Sequence, residues 1–270
     1  MPHRERANGA APDAQPDALL SVEGVTVRFG GVIALDDVRF RVARGQICGL
    51  IGPNGAGKTT LFNCISRLYQ PSAGDIRFEG RPLSKVRVHE IARLGVARTF
   101  QNLALFATMT VRENVRVGAH VCARGGFLAN ALSLPLARRA EREIGELADS
   151  LIVECRLENV ADRFVGELPF GVKKRVELAR ALAISPKLLL LDEPAAGLNH
   201  EEVDALASEI VRLRDKRGLS VLLVEHHMNL VMRISDQVVA LDFGRVLADG
   251  APDAVRAHPD VIRAYLGSAA

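Results

Sequence analysis

A glycine-rich stretch between residues 49 and 60 limits what this chain can fold into more than any other part of the sequence. It reads G-L-I-G-P-N-G-A-G-K-T-T, and residues 52–59 match the phosphate-binding pattern G-x-x-x-x-G-K-[ST] without a mismatch. The apolar run from Gln46 to Ile51 predicts a short buried strand before the loop, and Lys58 to Tyr69 reads as a helix after it. A strand, a glycine loop and a helix in this order are the setting that the motif requires, and a chance glycine-rich turn is the alternative.

The residue types of this loop suit a nucleoside triphosphate. Glycines let the backbone turn and bring its N–H groups close to phosphate oxygens, and the N-terminus of the following helix carries a partial positive charge. We expect Lys58 to reach the β- and γ-phosphates and the hydroxyl of Thr59 to bind Mg²⁺. The residues of the loop that we predict to bind nucleotide are Gly52, Pro53, Asn54, Gly55, Ala56, Gly57, Lys58, Thr59 and Thr60.

The composition is that of a globular protein with a real core, because 48% of the 270 residues are hydrophobic. No apolar run approaches the roughly 18 residues that a membrane helix needs, and no secretory signal opens the chain, so we expect a cytosolic protein. A net charge of +3 is too balanced to indicate nucleic acid. We expect the cysteines to be reduced, buried thiols, since none forms a C-x-x-C pair. They are Cys48, Cys64, Cys122 and Cys155.

A run of leucines, Leu188 to Leu191, leads directly into Asp192 and Glu193. Buried parallel strands read as continuous apolar runs, and ligands bind at their C-terminal ends. We therefore predict that Asp192 holds Mg²⁺ through water and that Glu193 is the general base for an attacking water. Such a carboxylate pair on its own is more simply a helix cap, but the glycine loop upstream favours a nucleotide site.

The segment between these two motifs has a helical character. Thr110 and Glu113 form a capping-box pattern, so we predict a helix from Val111, and a second long helical pattern runs from Leu136 to Arg156. Upstream of the glycine loop, Phe29 ends a predicted strand. From the residues alone, its ring could stack on an adenine or pack in the core.

Together these motifs resemble those of ATP-binding-cassette (ABC) ATPases over about residues 20–266. Gln101, in the run R-T-F-Q-N, is similar to the family's Q-loop glutamine, which contacts Mg²⁺ and reports to a membrane partner. His226 is similar to the switch histidine near the γ-phosphate, and Phe29 takes the adenine-stacking position. The resemblance implies ATP and Mg²⁺, ATP hydrolysis, and Lys58, Gln101, Glu193 and His226 as catalytic residues.

The implied fold class is α/β: a P-loop NTPase core with a mixed sheet, an N-terminal antiparallel β part and an inserted helical subdomain. We predict a disordered tail at 1–18 and the first part of the core at 19–102. The helical subdomain covers 103–185, the second part of the core 186–250, and a helical tail 251–270.

The family signature motif, usually L-S-G-G-Q, departs here to L-P-F-G-V from Leu168. In the family this motif reaches the γ-phosphate of the other subunit, so Leu168 and Gly171 are expected to contact the partner's nucleotide. Pro169 offers neither a hydroxyl nor an N–H, whereas Gly171 keeps its N–H at a helix start. The lost hydrogen bond is worth about 1.5–3 kcal/mol, so we expect weak self-dimerisation. Asn199 likewise replaces the usual D-loop aspartate.

Within the family, the likeness is greatest to ATPase subunits of branched-chain amino acid importers. Three segments carry it: residues 197–199, residues 225–228 and the tail 250–267. The resemblance implies a peripheral protein on the cytoplasmic face of the inner membrane, with a second ATPase subunit, identical or different. It also implies two permease subunits and an extracytoplasmic solute-binding protein, but no nucleic acid. The apolar residues of the segment 103–115 would help to form a groove for a permease helix, or are ordinary core.

Three alternatives remain at this point. Lipopolysaccharide-export ATPases have a similar tail. Soluble ABC proteins of translation or DNA repair resemble duplicated cassettes or carry long coiled coils, and this chain shows neither. A phosphate-loop kinase would leave Gln101, the signature region and His226 unexplained.

Overall fold

The computed structural model describes residues 18–101, 103–120 and 135–266. Of the tail predicted at 1–18, residues 1–17 lie outside the described residues, whereas Ala18 is not part of a tail but the first residue of a strand. The end of the C-terminal tail from residue 267 and Cys122 also lie outside the described residues. The strands are β1 (Ala18–Phe29), β2 (Val32–Ala43), β3 (Ile47–Ile51), β4 (Ala73–Phe78), β5 (Arg81–Pro82), β6 (Val96–Arg98), β7 (Leu188–Asp192), β8 (Ser220–Val224), β9 (Gln237–Asp242) and β10 (Arg245–Gly250). The α-helices are α1 (Lys58–Ile65), α2 (Val111–His120), α3 (Pro135–Glu154), α4 (Phe170–Leu182), α5 (His200–Arg217), α6 (Met228–Ile234), α7 (Pro252–Arg256) and α8 (Pro259–Leu266).

Two sheets organise the described chain. A four-stranded antiparallel sheet has the order β2-β1-β4-β5, and a six-stranded sheet has the order β10-β9-β3-β8-β7-β6. In the larger sheet β9, β3, β8, β7 and β6 run parallel, and only the edge strand β10 is antiparallel. This arrangement confirms the predicted α/β class with a mixed sheet and a separate N-terminal antiparallel part.

The central strands are apolar throughout because both of their faces are covered. Every residue of β3, β7 and β8 is buried. Successive side chains of a strand point to opposite faces, and here they enter two different cores. Leu189 and Leu191 pack in the core shared with the helical segment, whereas Leu188 and Leu190 pack in the core shared with the antiparallel sheet. The parallel strands thereby bring their carboxyl ends, and the residues that follow, to one edge.

The helical segment begins where its sequence predicts. The Oγ1 atom of Thr110 accepts a hydrogen bond from the Glu113 N–H at 3.2 Å, and Glu113 Oε2 accepts one from the Thr110 N–H at 2.7 Å. This reciprocal pair fixes the start of α2 at Val111. The sequence also predicts an N-cap at Asn199, and this cap is present, since its side chain accepts from the Glu202 N–H at 2.9 Å at the start of α5.

Two helix predictions need correction. The helix after the glycine loop ends at Ile65 and not at Tyr69, because Arg67 adopts a left-handed conformation with φ +61° that a helix cannot continue through. The sequence from His89 to Arg93 also predicts a helix, but the structure has two short 3₁₀ turns there, Val88–Glu90 and Ala92–Leu94.

Three cysteines are free and buried, as predicted: Cys48, Cys64 and Cys155. Burial raises the pKa of the Cys64 thiol to about 11 and that of Cys155 to about 12, so neither is a reactive thiolate near neutral pH. Among the described helices, none has the length and apolar character needed to cross a membrane.

Candidate nucleotide-binding site

The glycine loop joins β3 to α1 and can be built only with glycine at two of its positions. Gly52 has φ +151°, and a Cβ there would lie 2.2 Å from the backbone oxygen of Leu241. Gly57 has φ +100°, and a Cβ there would lie 2.7 Å from the backbone oxygen of Ala34. Any side chain at either position would push the loop away from the strands that support it. The loop therefore packs closely against the strands that contribute Ala34 and Leu241.

Lys58 is buried at the centre of this loop. Its Nζ donates hydrogen bonds to the backbone oxygens of Gly52 at 2.5 Å and Pro53 at 2.9 Å. Burial lowers the pKa of Lys58, and the nearby carboxylates of Glu193 and Asp192 act in the opposite direction. The ammonium group is thus bonded to the glycine loop and lies near the carboxylates at the end of β7. A nucleotide site built from the glycine loop and the leucine strand requires both to be close to Lys58. Thr59 is exposed beside it, with Thr60 half-buried.

Asp192 is the last residue of β7, and its carboxylate is held by Arg98 of the neighbouring strand β6. The Nη2 atom of Arg98 lies 2.9 Å from Asp192 Oδ2, and the two side chains are only 9% and 5% exposed. The Nη1 atom of Arg98 donates to Asn63 Oδ1 at 2.8 Å and to Ser66 Oγ at 3.2 Å, at the end of α1. One guanidinium therefore ties Asp192, which the sequence predicts to bind the metal ion, to the helix that follows the glycine loop.

The same guanidinium is packed between two aromatic rings. Its central carbon lies 5.5 Å from the ring centroid of Phe62 and 5.1 Å from that of Phe100. Phe100 directly precedes Gln101, so this packing also reaches the predicted Q-loop. Our sequence reasoning missed Arg98, although its place three residues before Gln101, on a strand next to the aspartate strand, was a usable signal.

The predicted catalytic residues Glu193, Gln101 and His226 come together at one oxygen atom. Glu193 Oε2 accepts a hydrogen bond from Gln101 Nε2 at 2.7 Å and lies 3.2 Å from His226 Nε2. Glu193 itself has φ +49°, an uncommon conformation for a residue other than glycine. Strain of this kind clusters at functional sites, where the surrounding structure enforces it. Residues from three separate loops thus converge on the carboxylate that was predicted to be the general base.

A further acidic residue, Glu225, lies fully buried next to this cluster and was not assigned a role from the sequence. Its Oε1 accepts from the Ala195 N–H at 2.6 Å. Its Oε2 accepts from the backbone N–H groups of His226 at 3.2 Å and His227 at 3.4 Å. A carboxylate directly before the switch histidine was visible in the sequence, but its backbone partners were not.

Comparison with known proteins agrees with this geometry. The family model described as ABC transporter matches residues 35–196. The chain belongs to the ABC transporter family. A second family model, described as branched-chain amino acid ATP-binding cassette transporter, matches residues 245–270. Membership confirms the expected ABC ATPase fold and its ATP-hydrolysing activity.

Two relatives match the ABC chain over nearly its full length. The high-affinity branched-chain amino acid transport ATP-binding protein BraF of Pseudomonas aeruginosa is 47% identical over 93% of this chain and 98% of its own length. The corresponding LivG protein of Escherichia coli (strain K12) is 43% identical over the same shares.

Solved structures give the same result. A nucleotide-free ATP-binding cassette from an ABC transporter superposes with a TM-score of 0.80 at 29% identity, covering 92% of this chain and 98% of the other. An ATP-binding cassette of an ABC transporter in its ADP conformation superposes with a TM-score of 0.79 at 30% identity, covering 93% and 99%.

The signature motif of this ABC protein lies at the start of α4. Pro169 is the N-cap residue, Leu168 before it is buried, and Gly171 falls in the first turn, so its N–H points out of a helix start as predicted. Within the described part of the chain, no hydrogen bond joins these residues to the glycine loop. The predicted contact of Leu168 and Gly171 with a partner's nucleotide stays a prediction.

The signature helix is connected instead to the Q-loop. The buried Glu177 of α4 accepts a hydrogen bond from the Phe100 N–H at 3.2 Å. Burial raises the pKa of Glu177, although that hydrogen bond acts against the shift. The helical segment is therefore hydrogen-bonded directly to the residue beside Gln101.

The ring of Phe29 is 47% exposed and makes an edge-to-face contact with Tyr69 at 5.2 Å between ring centroids. It is not a core residue, which removes the structural alternative considered from the sequence. Stacking of this ring on adenine stays a prediction.

The C-terminal helix α8 touches the outer side of the glycine loop. The phenol of Tyr265 lies near the backbone of Gly52, and burial raises its pKa. A cavity of about 560 Å³ lies beside this contact, lined by Pro53 to Ala56, the turn at Asp242 and Phe243, and α8. The segment matched by the branched-chain family model therefore contributes to the support of the phosphate-binding loop.

The residues of the site fit a magnesium nucleotide. The ammonium group of Lys58 lies against the loop, and a glycine loop before a helix is the kind of backbone whose N–H groups bind phosphate. The oxygen atoms of Thr59, Gln101 and Asp192 are hard ligands of the type that Mg²⁺ prefers. The family binds nucleotide, and these side chains are the ones available here to hold it.

Proposed function

We propose that this protein is the ATPase subunit that energises import of branched-chain amino acids, or related small solutes, through partner permeases. The observation that carries the proposal is the meeting of Gln101 and His226 at one oxygen of Glu193, beside Lys58. The near-full-length relatives with branched-chain amino acid transport names give the substrate class. They do not favour the lipopolysaccharide exporter or the soluble ABC protein.

Each residue has a defined part in this reaction. Bound MgATP supplies the phosphoryl group and the metal ion. Lys58 and the loop N–H groups neutralise phosphate charge, and Thr59 and Asp192 hold the ion, Asp192 in the orientation that Arg98 imposes. Glu193 orients the attacking water and takes its proton, while Gln101 and His226 keep its carboxylate in place.

The second half of a complete site comes from another ATPase subunit, identical or different. The support for this is that, among the described residues, no hydrogen bond joins the signature residues Leu168 and Gly171 to the glycine loop of their own chain. In the dimer, these residues would face the nucleotide of the partner, and closure around ATP would be coupled to transport. Phe29 would stack on the adenine ring.

The permease partners would bind to the loop after Gln101. Leu105 in this loop packs partly against the core, whereas Phe106 is exposed. The backbone of Phe106 is held in place because Asn114, fully buried, accepts from the Phe106 N–H at 2.9 Å and donates to the Phe106 oxygen at 3.0 Å. An exposed aromatic residue on a loop fixed in this way is suited to a permease helix.

The assembly would contain two permeases and an extracytoplasmic solute-binding protein, with this subunit on the cytoplasmic face of the inner membrane. Within the subunit, we propose residues 103–185 as the lever between permease and nucleotide, with 19–102 and 186–250 as the core and 251–270 as a tail.

The catalytic assignment is tested by Glu193→Gln. The variant is expected to bind MgATP as the wild type does but to hydrolyse it about 10²–10⁴-fold more slowly, the size of a general-base effect. A matched control is Glu201→Gln, an exposed glutamate in the first turn of α5, which should leave turnover unchanged. Undiminished turnover of the Glu193 variant would refute the assignment.

The transport assignment is tested by gentle solubilisation of the protein from its native membranes. Two permeases, an ATPase partner and a binding protein should co-purify, and the binding protein should then bind leucine, isoleucine or valine in calorimetry. Co-purification with only ribosomal or DNA-repair proteins would refute the importer function.

A further inference from the structure

Glu225 bridges two of the loops that form the catalytic cluster. It follows β8 directly and has no exposed surface, so its carboxylate obtains its hydrogen bonds from the protein and not from bulk water. The donors given above are all backbone N–H groups, and they belong to two loops that are far apart in sequence. Ala195, on one side, is 30 positions from Glu225. His226 and His227, on the other side, follow Glu225 in the chain.

The two oxygens of this carboxylate have separate partners. Oε1 holds Ala195, in the turn that begins at Glu193, and the Ala196 N–H donates to the Glu193 oxygen at 3.1 Å to close that turn. Oε2 holds the backbone from which the imidazole of His226 extends. The short 2.6 Å bond to Ala195 is typical of a charge-assisted hydrogen bond. A single rigid side chain thus sets the spacing between the two loops.

The spacing between the two loops matters because His226 of one loop contacts the catalytic carboxylate of Glu193 in the other. The Nε2 atom of His226 is 3.2 Å from Glu193 Oε2. A shift of about 1 Å between the loops would separate this pair, and misplacements of that size cost about 10²-fold in rate.

We propose that Glu225 is a positioning residue, which holds His226 against Glu193 and carries movements of the loop at 195–199 to the histidine. The inference rests on the proposed ATPase function of the site and extends it. It also identifies how contact of a second subunit with that loop would reach the catalytic cluster.

The test is Glu225→Gln in the full-length protein. The side chain keeps its shape, but an amide has a single acceptor oxygen, so it can serve Ala195 or His226 and not both. We expect kcat to fall about 10²-fold, with the Kd for MgATP within a factor of two of wild type, measured with a fluorescent ATP analogue.

A double variant distinguishes positioning from a general structural role. If Glu225 acts through His226, the kcat of Glu225→Gln/His226→Ala should equal that of His226→Ala alone, because residues that act as a unit are not additive. The matched control is Glu154→Gln, a buried glutamate away from the site, which should lower the melting temperature through its lost pairing with Arg217 and leave kcat unchanged. Multiplicative losses in the double variant, or an unchanged kcat for Glu225→Gln, would overturn the proposal.

These outcomes are separate from failure of the proposed function itself, which Glu193→Gln reports independently. If Glu225→Gln does not fold, Glu225→Asp gives the same readouts, since its shorter side chain reaches only one of the two loops. In either variant the imidazole NMR signals of His226 should shift relative to wild type. Unshifted signals would equally overturn the proposal.

Discussion

Replacement of Arg98 by methionine is expected to destabilise the protein strongly, because it leaves a charge buried without its partner. The side chains of Arg98 and Asp192 are 9% and 5% exposed, and their 2.9 Å contact is the ion pair beside the glycine-loop helix. Removal of one member of a buried pair costs about 3–5 kcal/mol, since the other charge cannot be solvated by water. One kcal/mol shifts the melting temperature by about 2–4 °C in domains of this size. The variant should therefore melt about 6–20 °C below wild type.

The measurement is differential scanning calorimetry with a parallel urea titration, both on nucleotide-free protein so that ligand binding does not contribute to stability. The control is Arg39→Met, whose partner is Asp37 at 2.7 Å with side chains 66% and 64% exposed. Loss of that surface pair should cost about 0–1 kcal/mol.

The double variant Arg98→Met/Asp192→Asn removes both charges and should recover part of the lost stability. If Arg98→Met costs no more than the surface control, the guanidinium is not the partner on which the Asp192 carboxylate depends. If the double variant is no more stable than Arg98→Met, the cost comes from lost packing and not from the unpaired carboxylate.

Two further predictions concern the signature helix. Burial raises the pKa of Glu177 in the folded protein. As the pH rises above about 4, Glu177 therefore ionises in the unfolded chain before it ionises in the folded protein. The folded wild type loses stability over this range because the unfolded state releases the proton more readily. The melting temperature of Glu177→Gln, measured in a fluorescence melt, should therefore rise relative to wild type as the pH increases above about 4; a pH-independent difference would contradict this. Pro169→Ser restores a hydroxyl and an N–H at the N-cap of α4. In the Glu193→Gln background it should tighten the MgATP-dependent dimer about 10–160-fold in sedimentation, equivalent to about 1.5–3 kcal/mol. If Glu193→Gln already forms a tight dimer with Pro169 in place, the proline does not weaken dimerisation.

The parts of the site that depend on local sequence could be predicted. The strand, loop and helix around Lys58, the leucine strand before Asp192 and the cap at Asn199 each follow from residues within one turn or one strand of each other. The predicted helix end at Tyr69 was wrong, and the helix ends at Ile65, because the left-handed conformation of Arg67 leaves no trace in a helical pattern.

Contacts between distant residues could not be derived from the pattern. Arg98 and Asp192 are 94 positions apart, and Glu225 and Ala195 are 30 apart. Which side chain meets which depends on strand order in the larger sheet, and β6 lies next to β7 only in the folded molecule. The family resemblance named the catalytic residues, but it did not name the residues that hold them in position.

The division of the leucine strand between two cores determines which substitutions in it influence one another. Leu189 and Leu190 are adjacent in sequence yet have no common core neighbours, whereas Leu189 and Leu191 share theirs. Substitutions coupled through shared packing show epistasis, and those without common partners are additive. In β7 and β8, we therefore expect epistasis between substitutions two residues apart and additivity between substitutions at adjacent residues. Genetic variation in the core on the helical side can then accumulate with little effect on the core that supports the glycine loop.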